Sequence, residues 1–349
     1  MNQPLRILHA VCTDEFAGVE QFILTLAVAQ ATAGHEVSVA GGDPTRMRAA
    51  LAAAGIRFAS VSSVTAVARA IRARRNDVDV VNTHMTAADA AGILALAGAR
   101  SRPALVSTRH FAKRRGNIVP LDSLLRPHFD AEISISRYVA QSIGVPSIVV
   151  HPGIEARPNV GSATREPVVL MAQRLQPEKH SVVGVRAFAA SGLAADGWTL
   201  EIAGDGPDRL HAERLAEELA IAPAVRFLGF RDDVDRLMTR ASILLATCPV
   251  EGFGLTVLEA MASGLPVIVP DSGGPCEILG GLDERALYRS DDAAHAGSRL
   301  RSLADDDAGR IAFGAAARRR QRADLTAAEQ ALSTIRVYRR ISNRPRVAR

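Results

Sequence analysis

The stretch 251–277, EGFGLTVLEAMASGLPVIVPDSGGPCE, contains the residues of this chain best suited to chemistry. Gly252, Phe253 and Gly254 form a loop with little side-chain bulk, and a helical pattern follows from about Leu255 to Ala262. The first main-chain N–H groups of a helix have no partner within the helix, and the helix dipole is positive there. Because such groups bind phosphate oxygens, the loop predicts a site for the diphosphate of a nucleotide.

Two glutamates flank this loop. Glu251 precedes the helix, where it could accept hydrogen bonds from the hydroxyls of a sugar. Glu259 is roughly 6 Å along the helix from Leu255, a distance that suits ribose hydroxyls when phosphates occupy the helix start. Two glutamates at this spacing also occur by chance as exposed helix residues. The glycine loop between them, with Gly264 and Pro266 ending the helix, favours the functional interpretation.

The composition is that of a globular chain of about two domains. Its 349 residues, at about 150 residues per domain, suggest two. Apolar residues make up 48% of the chain, and three widely spaced cysteines indicate neither a disulfide framework nor a zinc site. The N-terminus lacks the pattern of a signal peptide, and no apolar stretch approaches the roughly 20 residues of a membrane span. We therefore expect a cytoplasmic protein.

Short apolar runs alternate with helical patterns, as in parallel sheets with helical crossovers. The alternation begins at LRILHAV, restarts at PVVLMAQ, and is interrupted by a Pro- and Gly-containing segment at 151–167. We expect an α/β protein of two Rossmann-like, doubly wound parallel-sheet domains facing a central cleft, one over 1–152 and one over 160–324. Ligands of such domains bind beyond the carboxyl ends of the strands, so residues directly after strands are the best candidates.

Candidates of this kind occur in the first domain. Gly18 follows the first strand and either lets the main chain approach a ligand or caps a helix. His84 and His110 follow later strands, where the cleft is expected. A solitary histidine is more often structural than catalytic, and of the two we favour His110 as the catalytic candidate.

The second domain has its own candidates after strands. Arg174 ends its first strand, and Lys179 lies five residues later at a helix start. Two cations over one loop suit a diphosphate, although surface salt bridges would be their ordinary role. Gly204 and Gly206 belong to GDGPDRL, which follows another strand. This segment forms either part of a nucleotide wall or only a turn, because it lacks the GxGxxG spacing of dinucleotide sites.

The net charge of +5 favours anionic partners. Arg69, Arg72 and Arg75 have helical spacing, which predicts one cationic helix face. A solvated face is the ordinary explanation. The functional explanation is peripheral contact with anionic lipids at the inner membrane face, which a second cluster at 113–115 supports. We expect no nucleic-acid partner.

Together these motifs resemble the retaining glycosyltransferases of family 4, which have the GT-B architecture of two Rossmann-like domains. The resemblance covers nearly the whole chain and is carried by AGVE, STRH, QRLQPEK, AGDGP, VRFLGF and EGFGLTVLEAMASGLPVI. It implies a nucleoside-diphosphate sugar as donor substrate, with no cofactor and no metal. It also implies that a last helix at about 325–341 packs back on the first domain.

The resemblance implies a role for each matched residue. Arg174 and Lys179 would neutralise the donor diphosphate. Glu251 would bind hydroxyls of the transferred sugar, Glu259 would bind the ribose, and His110 would be the cleft histidine. The remaining donor-binding positions would be Gly18, Gly204, Gly206, Gly252, Phe253 and Gly254. The chain departs from the family pattern at Ala17 and His180, each of which stands where a glycine is usual, and at HPGIE in the linker.

The expected reaction is transfer of a hexose-type sugar from a UDP- or GDP-sugar to a glycan, a glycolipid or a small-molecule acceptor, with retention of anomeric configuration. Two alternatives share the expected architecture: a sugar-nucleotide 2-epimerase and a noncatalytic nucleotide-sugar-binding protein. No motif identifies the base, the sugar or the acceptor. The DxD pair at Asp77 and Asp79 lies at the beginning of a strand rather than its end, so we expect no metal there.

Overall fold

The computed structural model describes residues 3–99, 101–115, 121–157 and 165–342. The chain divides into two compact units. Unit 1 comprises Met1–Gly153 and Thr326–Arg349, and unit 2 comprises Ile154–Leu325. The division at 153 falls within the segment interpreted as a linker. Residue 160, where we expected the second domain to begin, lies outside the described residues.

Strands and helices alternate along both units. Up to residue 149 the elements are β1 (Arg6–Val11), α1 (Gly18–Thr32), β2 (Glu36–Ala40), α2 (Pro44–Ala53), β3 (Arg57–Ala59), α3 (Val64–Arg74), β4 (Val80–His84), α4 (Met85–Leu96), β5 (Ala104–Arg109), α5 (Leu121–Leu125), β6 (Ala131–Ser134), α6 (Arg137–Ile143) and β7 (Ile148–Val149). From residue 168 they are β8 (Val168–Ala172), α7 (Ser181–Ser191), β9 (Thr199–Ala203), α8 (Arg209–Glu218), β10 (Val225–Gly229), α9 (Val234–Arg240), β11 (Ile243–Leu245), α10 (Leu255–Ala262), β12 (Val267–Pro270), α11 (Pro275–Leu279), β13 (Leu287–Tyr288), α12 (Ala293–Ala304), α13 (Asp307–Asp324) and α14 (Ala327–Ser342).

Each unit is built on a parallel sheet. Among the described residues, unit 1 has seven strands in the order β3-β2-β1-β4-β5-β6-β7, and unit 2 has six in the order β10-β9-β8-β11-β12-β13. Every strand pair in both sheets is parallel. The expected α/β class with two doubly wound, Rossmann-like sheets is confirmed. The strand order reverses between β1 and β4 and between β8 and β11, so each pair marks the point where such sheets bind ligands.

Helix α14 completes the core of unit 1. Its buried residues include Ala331, Ile335 and Tyr338, which recur at the three- to four-residue spacing of one helix face. Ile335 and Tyr338 belong to the same core cluster as Ile7 of β1 and Val106 of β5. The last described helix is therefore part of the first sheet's core, although about 170 residues of unit 2 separate it from the rest of unit 1.

A group of buried charges, the Arg115 cluster, lies in unit 1 and comprises Asp89, Arg109, Arg115, Asp122 and Glu132. Arg115 Nη2 is 2.7 Å from Asp89 Oδ2, and its Nη1 is 3.1 Å from Asp122 Oδ1 and 3.2 Å from Glu132 Oε1. Arg109 Nη1 is 2.8 Å from the same Asp122 oxygen. Our interpretation of 113–115 as a surface cluster was wrong for Arg115, because carboxylates inside the unit compensate the burial of its guanidinium.

The arginines of α3 do not form the uniform face that we predicted. The helix ends at Arg74, so Arg75 is its C-cap, while Arg69 and Arg72 are exposed. Arg72 Nη2 donates to the carbonyl of Leu94 (2.8 Å), so its guanidinium helps to cap α4. Contact with anionic lipids through these arginines stays a prediction. No helix among the described residues has the length and apolarity that a membrane crossing requires.

Candidate functional site

Two loops of unit 2 bring Lys179 and Glu251 together. Lys179 ends a short 3-10 turn, Pro177–Lys179, in the loop after β8, and Glu251 lies in the loop after β11. Lys179 Nζ is 2.5 Å from Glu251 Oε2. Since β8 and β11 are the neighbours at which the strand order reverses, their loops leave the sheet side by side. The topology therefore explains how residues 72 positions apart become ion-pair partners.

The Lys179–Glu251 pair is partly buried and strongly charged. Burial lowers the pKa of Lys179, but the Glu251 carboxylate outweighs this effect and the net pKa is raised. The positive charge of Arg174 opposes that rise. Arg174 is itself exposed. Lys179 therefore remains a cation, and the loop has a second positive charge beside it.

Polar side chains of unit 2 fix the main chain of the Lys179 loop. Gln173 Nε2 donates to the Lys179 carbonyl (3.0 Å), and Thr247 Oγ1 donates to the same oxygen (2.6 Å). Gln173 Nε2 also reaches Thr247 Oγ1 at 2.9 Å. Because Thr247 follows β11, these bonds connect the loops after β8 and β11. Neither Gln173 nor Thr247 was predicted from the sequence, where their only signal was a position after a strand.

His180 stands where a glycine is usual in the family pattern. It has φ 50°, in the left-handed region that favours glycine, and its Nδ1 is 2.6 Å from Asp291 Oδ1. A non-glycine residue in this region has a steric cost of about 1–2 kcal/mol. The contact with Asp291 offsets part of that cost. The backbone geometry explains why a glycine would suit this position.

The glycine loop leads directly into α10, as predicted from the sequence. Gly254 is the N-cap of Leu255–Ala262, has φ 90°, and provides no side-chain cap. Within the described part of the chain, no acceptor binds the N–H groups of Gly254 and Leu255. Phe253 is 1% exposed, so its ring anchors the loop in the core and a ligand could reach only its main chain. Unpartnered N–H groups at a helix start are suited to bind an anion.

A second glycine pair, Gly273 and Gly274, packs against this loop. A Cβ on Gly274 would lie 2.2 Å from the carbonyl oxygen of Gly252, and one on Gly273 would lie 3.0 Å from that of Glu251. Gly274 N–H donates to the Glu251 carbonyl (2.9 Å). The glycines at 273 and 274 thus allow two main-chain segments to touch, which holds Glu251 in place.

Glu259 lies on α10, where burial raises the pKa of its carboxyl to about 7. The guanidinium of Arg157 opposes this shift, and Asp235 adds to it. Arg157 also bonds Asp235 (2.6 Å) and the main-chain oxygen of Glu259 (3.3 Å). Among the described residues no donor reaches the Glu259 carboxylate itself. Such a carboxylate gains stability from a ligand that supplies hydroxyl donors.

Gly204 and Gly206 have a structural role beside Arg174. A Cβ on Gly204 would lie 1.9 Å from the Gln173 carbonyl oxygen, and one on Gly206 would lie 2.4 Å from that of Leu175. Leu175 N–H donates to the carbonyl of Asp205 (2.9 Å). The GDG segment therefore packs against the main chain on both sides of Arg174. Direct contact of these glycines with a donor stays a prediction.

Replacing Gly204 with alanine should destabilise the protein by about 3 kcal/mol or more, because the new Cβ must displace a main-chain oxygen and φ is 147°. Urea unfolding would measure the change. Gly197 is a matched control, since it has φ 79° and open space around its Cβ position. Gly197→Ala should cost only the backbone strain of about 1–2 kcal/mol. Equal effects of both variants would contradict the close-packing explanation.

The candidates of unit 1 lie after its strands. Gly18 begins α1 and is exposed. His110, directly after β5, is 7% exposed, and its Nε2 is 3.0 Å from Nδ1 of His84. Phe22 of α1 packs edge-on against the His110 ring at 4.7 Å. His110 is therefore a member of a hydrogen-bonded group rather than a solitary histidine, and its catalytic role stays a prediction.

Two family models match the chain. The family described as glycosyl transferases group 1 matches residues 154–320, and glycosyltransferase family 4 matches residues 16–157. The first match covers most of unit 2, including Lys179, Glu251 and Glu259. The second covers most of unit 1, including Gly18 and His110.

Known proteins resemble parts of the chain or all of it. It is 34% identical over 164 residues to the GDP-mannose-dependent alpha-(1-6)-phosphatidylinositol dimannoside mannosyltransferase of Mycobacterium tuberculosis, covering 46% of this chain and 42% of that protein. It is 32% identical over 206 residues to the D-inositol 3-phosphate glycosyltransferase of Corynebacterium aurimucosum, covering 54% of this chain and 48% of that protein. The aligned region thus spans less than half the length of each of these two curated relatives.

The fold likeness extends over the whole chain. The crystal structure of Anabaena HepE in complex with UDP and glucose matches with a TM-score of 0.76 and 17% identity, covering 95% of this chain and 99% of that chain. At this identity the likeness concerns the fold. The two family models together span residues 16–320, and the chain belongs to the family 4-like glycosyltransferases, with the GT-B fold.

Proposed function

We propose that this protein transfers a hexose-type sugar from a nucleoside-diphosphate sugar to a glycan, a glycolipid or a small-molecule acceptor, with retention and without a metal. The observation that carries the proposal is the contact of Lys179 with Glu251 beside the start of α10. This arrangement places a cation, a carboxylate and main-chain N–H groups where the strand order of unit 2 reverses. The phosphates of a nucleotide sugar would bind the cation and the N–H groups, and its hydroxyls would bind the carboxylate.

The diphosphate would bind the positive groups of unit 2. Lys179 and Arg174 supply two cations, and the N–H groups of Gly254 and Leu255 supply donors at the positive end of a helix. Lys179 is held by Glu251 in the structure. Binding would draw the ammonium towards the phosphates and release a Glu251 oxygen for the hydroxyls of the sugar.

The reaction breaks the bond between the anomeric carbon and the diphosphate oxygen, and its electron pair leaves with the diphosphate. Lys179, Arg174 and the amides of α10 would stabilise the negative charge that develops there, and stabilisation of this kind usually contributes more to catalysis than any other single effect. The acceptor hydroxyl would attack from the same face and give its proton to an oxygen of the leaving phosphate. The new C–O bond then has the configuration of the old one.

Glu259 predicts a pH dependence of donor binding. Only the ionised carboxyl accepts hydrogen bonds from two ribose hydroxyls, and the pKa of Glu259 is about 7. The apparent Kd of a nucleotide sugar should therefore rise about tenfold from pH 8 to pH 6. Isothermal titration at several pH values would measure it. Glu259→Gln should bind more weakly and lose this pH dependence; a dependence that persists in the variant would contradict the assignment.

The same carboxyl affects the stability of the unliganded protein. The pKa of Glu259 in the folded chain is above the ordinary value of 4.5. Its burial therefore does not lower the free energy of unfolding below pH 4.5, where the carboxyl is neutral. Stability is lost as the pH rises through 7, because the buried carboxyl then ionises. Glu259→Gln should raise the free energy of unfolding at pH 8, by at most about 3 kcal/mol, and have little effect near pH 4. Urea unfolding at the two pH values would show it.

A panel of nucleotide sugars would test the function directly. The relatives named above do not agree on the base, since one is described as GDP-mannose-dependent and HepE was crystallised with UDP and glucose. Melting temperatures should rise with one of UDP-, GDP- or ADP-sugars, since ligand at 100 times its Kd adds about 2.7 kcal/mol. Failure of every nucleotide sugar to raise the melting temperature would refute the proposal.

Turnover of the donor that binds would separate the reaction classes. We expect slow release of the nucleoside diphosphate without an acceptor and faster release with a suitable one. Inversion at C2 of the sugar would instead indicate an epimerase. Binding without any release across an acceptor panel would indicate a noncatalytic protein.

A further inference from the structure

Three buried histidines form a continuous chain of hydrogen bonds in unit 1. His9 lies on β1, His84 ends β4, and His110 follows β5. His9 Nδ1 is 3.0 Å from His84 Nε2, and His84 Nδ1 is 3.0 Å from His110 Nε2. His9 and His84 are 0% exposed, and His110 is 7% exposed. The chain therefore leads from the centre of the sheet to the residue predicted to be catalytic.

A polar network continues the chain on the other side of His9. Gln30 Oε1 of α1 is 2.8 Å from His9 Nε2. Tyr338 of α14 accepts a hydrogen bond from Asn82 Nδ2 (2.7 Å), and Asn82 Oδ1 accepts one from Thr108 Oγ1 (2.9 Å). Burial raises the pKa of Tyr338, and the neighbouring side chains of Asn82 and Gln30 oppose the rise. Gln30 is thus close to both His9 and Tyr338.

The same ring nitrogen, either Nδ1 or Nε2, must carry the proton in all three histidines. Burial lowers the pKa of His9 to about 4 and that of His110 to about 3, and it lowers that of His84 as well. All three are neutral at pH 7, so each ring has one N–H and one bare nitrogen. A ring that donates to its neighbour at one nitrogen must accept at the other. The side chain that faces His9 Nε2 therefore decides which nitrogen of His110 holds the proton.

The Gln30 amide has two orientations, related by a rotation of 180°. With its oxygen towards His9, all three rings are protonated at Nε2. Its nitrogen then faces away from His9, is buried, and makes no hydrogen bond of normal geometry. With its nitrogen towards His9, all three rings are protonated at Nδ1, and the amide oxygen faces the Tyr338 side, where the phenol hydrogen is available because Asn82 already donates to that oxygen.

The second orientation satisfies more of the buried groups. A buried donor without a partner costs about 1–3 kcal/mol. Rotation of the amide gives one N–H of Gln30 an acceptor, His9 Nε2, and supplies an acceptor for the hydroxyl of Tyr338. Buried polar groups in proteins are almost always paired. The network therefore favours histidines that are protonated at Nδ1.

We propose that Tyr338, Gln30, His9 and His84 are positioning residues that hold His110 in its Nδ1-protonated form. Through the proposed function, on which this step rests, His110 then has an N–H at Nδ1 to offer to an oxygen of the substrate. It would act as a hydrogen-bond donor and not as a base, because Nε2, its bare nitrogen, already accepts from His84. The last described helix, α14, thereby sets the proton position in a residue after β5.

NMR of the protein with 15N-labelled histidine tests the proton positions without a substrate. Long-range proton–nitrogen spectra distinguish the two neutral forms of the ring, and single His→Gln variants at positions 9, 84 and 110 assign the signals. We expect all three rings to be protonated at Nδ1. Protonation of His110 at Nε2 would overturn the proposal.

Tyr338→Phe tests whether the Tyr338 hydroxyl determines which nitrogen of the three histidines is protonated. The variant removes the hydroxyl that holds the Gln30 oxygen, so the amide is free to rotate and the three rings should shift towards the Nε2-protonated form. Tyr288→Phe is the matched control, because Tyr288 is buried in unit 2 and its hydroxyl donates to the carbonyl of Ala246 (3.4 Å). It should leave the histidine spectrum unchanged. An unchanged spectrum in Tyr338→Phe would overturn the proposal.

Activity provides the second readout of Tyr338→Phe. Loss of one donor to the ligand should lower kcat about fivefold to tenfold, with the Kd of the donor diphosphate unchanged. Tyr288→Phe should keep the wild-type kcat. If the wild-type protein shows no transfer at all, the proposed function fails while the NMR result still decides the proton positions.

Discussion

Lys179→Ala is expected to lower kcat/KM by about 10²–10³-fold, because the variant removes a partly buried cation that we propose stabilises the leaving diphosphate. The effect should be on kcat more than on KM, since the charge of the diphosphate is greatest after the sugar–oxygen bond has stretched. Steady-state kinetics with the donor identified by the thermal-shift panel would measure both constants.

Arg214→Ala is the control for Lys179→Ala. Arg214 is an exposed cation on α8 of the same unit, so its removal changes the net charge equally. Its kinetic constants should stay close to those of the wild type. A similar loss in both variants would mean that Lys179 acts only through the overall field of unit 2, and the assignment of Lys179 to the diphosphate would be wrong.

Arg115→Met is expected to have the largest effect on stability, a loss of about 3–5 kcal/mol, because it leaves buried carboxylates without their cation. Three carboxylates, Asp89, Asp122 and Glu132, lie within 3.2 Å of the Arg115 guanidinium. Methionine retains much of the apolar stem, so the variant tests the charge more than the packing. The midpoint of urea unfolding would report the loss.

Arg126→Ala is the corresponding control, since Arg126 is exposed in the same unit. It should change the free energy of unfolding by no more than about 0.5 kcal/mol. If Arg115→Met unfolds at the wild-type urea concentration, the carboxylates of the Arg115 cluster must be protonated and neutral in the folded protein.

The regular elements could be predicted because their signals are local. The two apolar runs that we named, LRILHAV and PVVLMAQ, contain β1 and β8. The glycine loop and the start of α10 at Leu255 also followed from adjacent residues. In contrast, the two-residue strands β7 and β13 have no periodicity of their own, and pairing with a longer neighbour defines them.

The individual residues of the candidate site could be predicted from the sequence, but the contacts between them could not. Lys179 and Glu251 were assigned separate ligand groups, and their contact depends on two loops that only the strand order brings together. Arg157, which tunes the Glu259 carboxyl, lay in a segment interpreted as a linker. Arg115 has the same sequence context as its exposed neighbours Lys113 and Arg114, and only its tertiary partners distinguish it. Contacts between distant residues leave no local pattern to recognise.

The return of the chain to unit 1 has a consequence for synthesis on the ribosome. Residues 154–325 form a continuous segment, so unit 2 has all of its strands before α14 emerges. Unit 1 cannot complete its core until α14 has been synthesised, because Ile335 and Tyr338 of α14 belong to that core. During that interval the nascent first sheet exposes an apolar surface, which makes it the part of the protein that most needs chaperone protection.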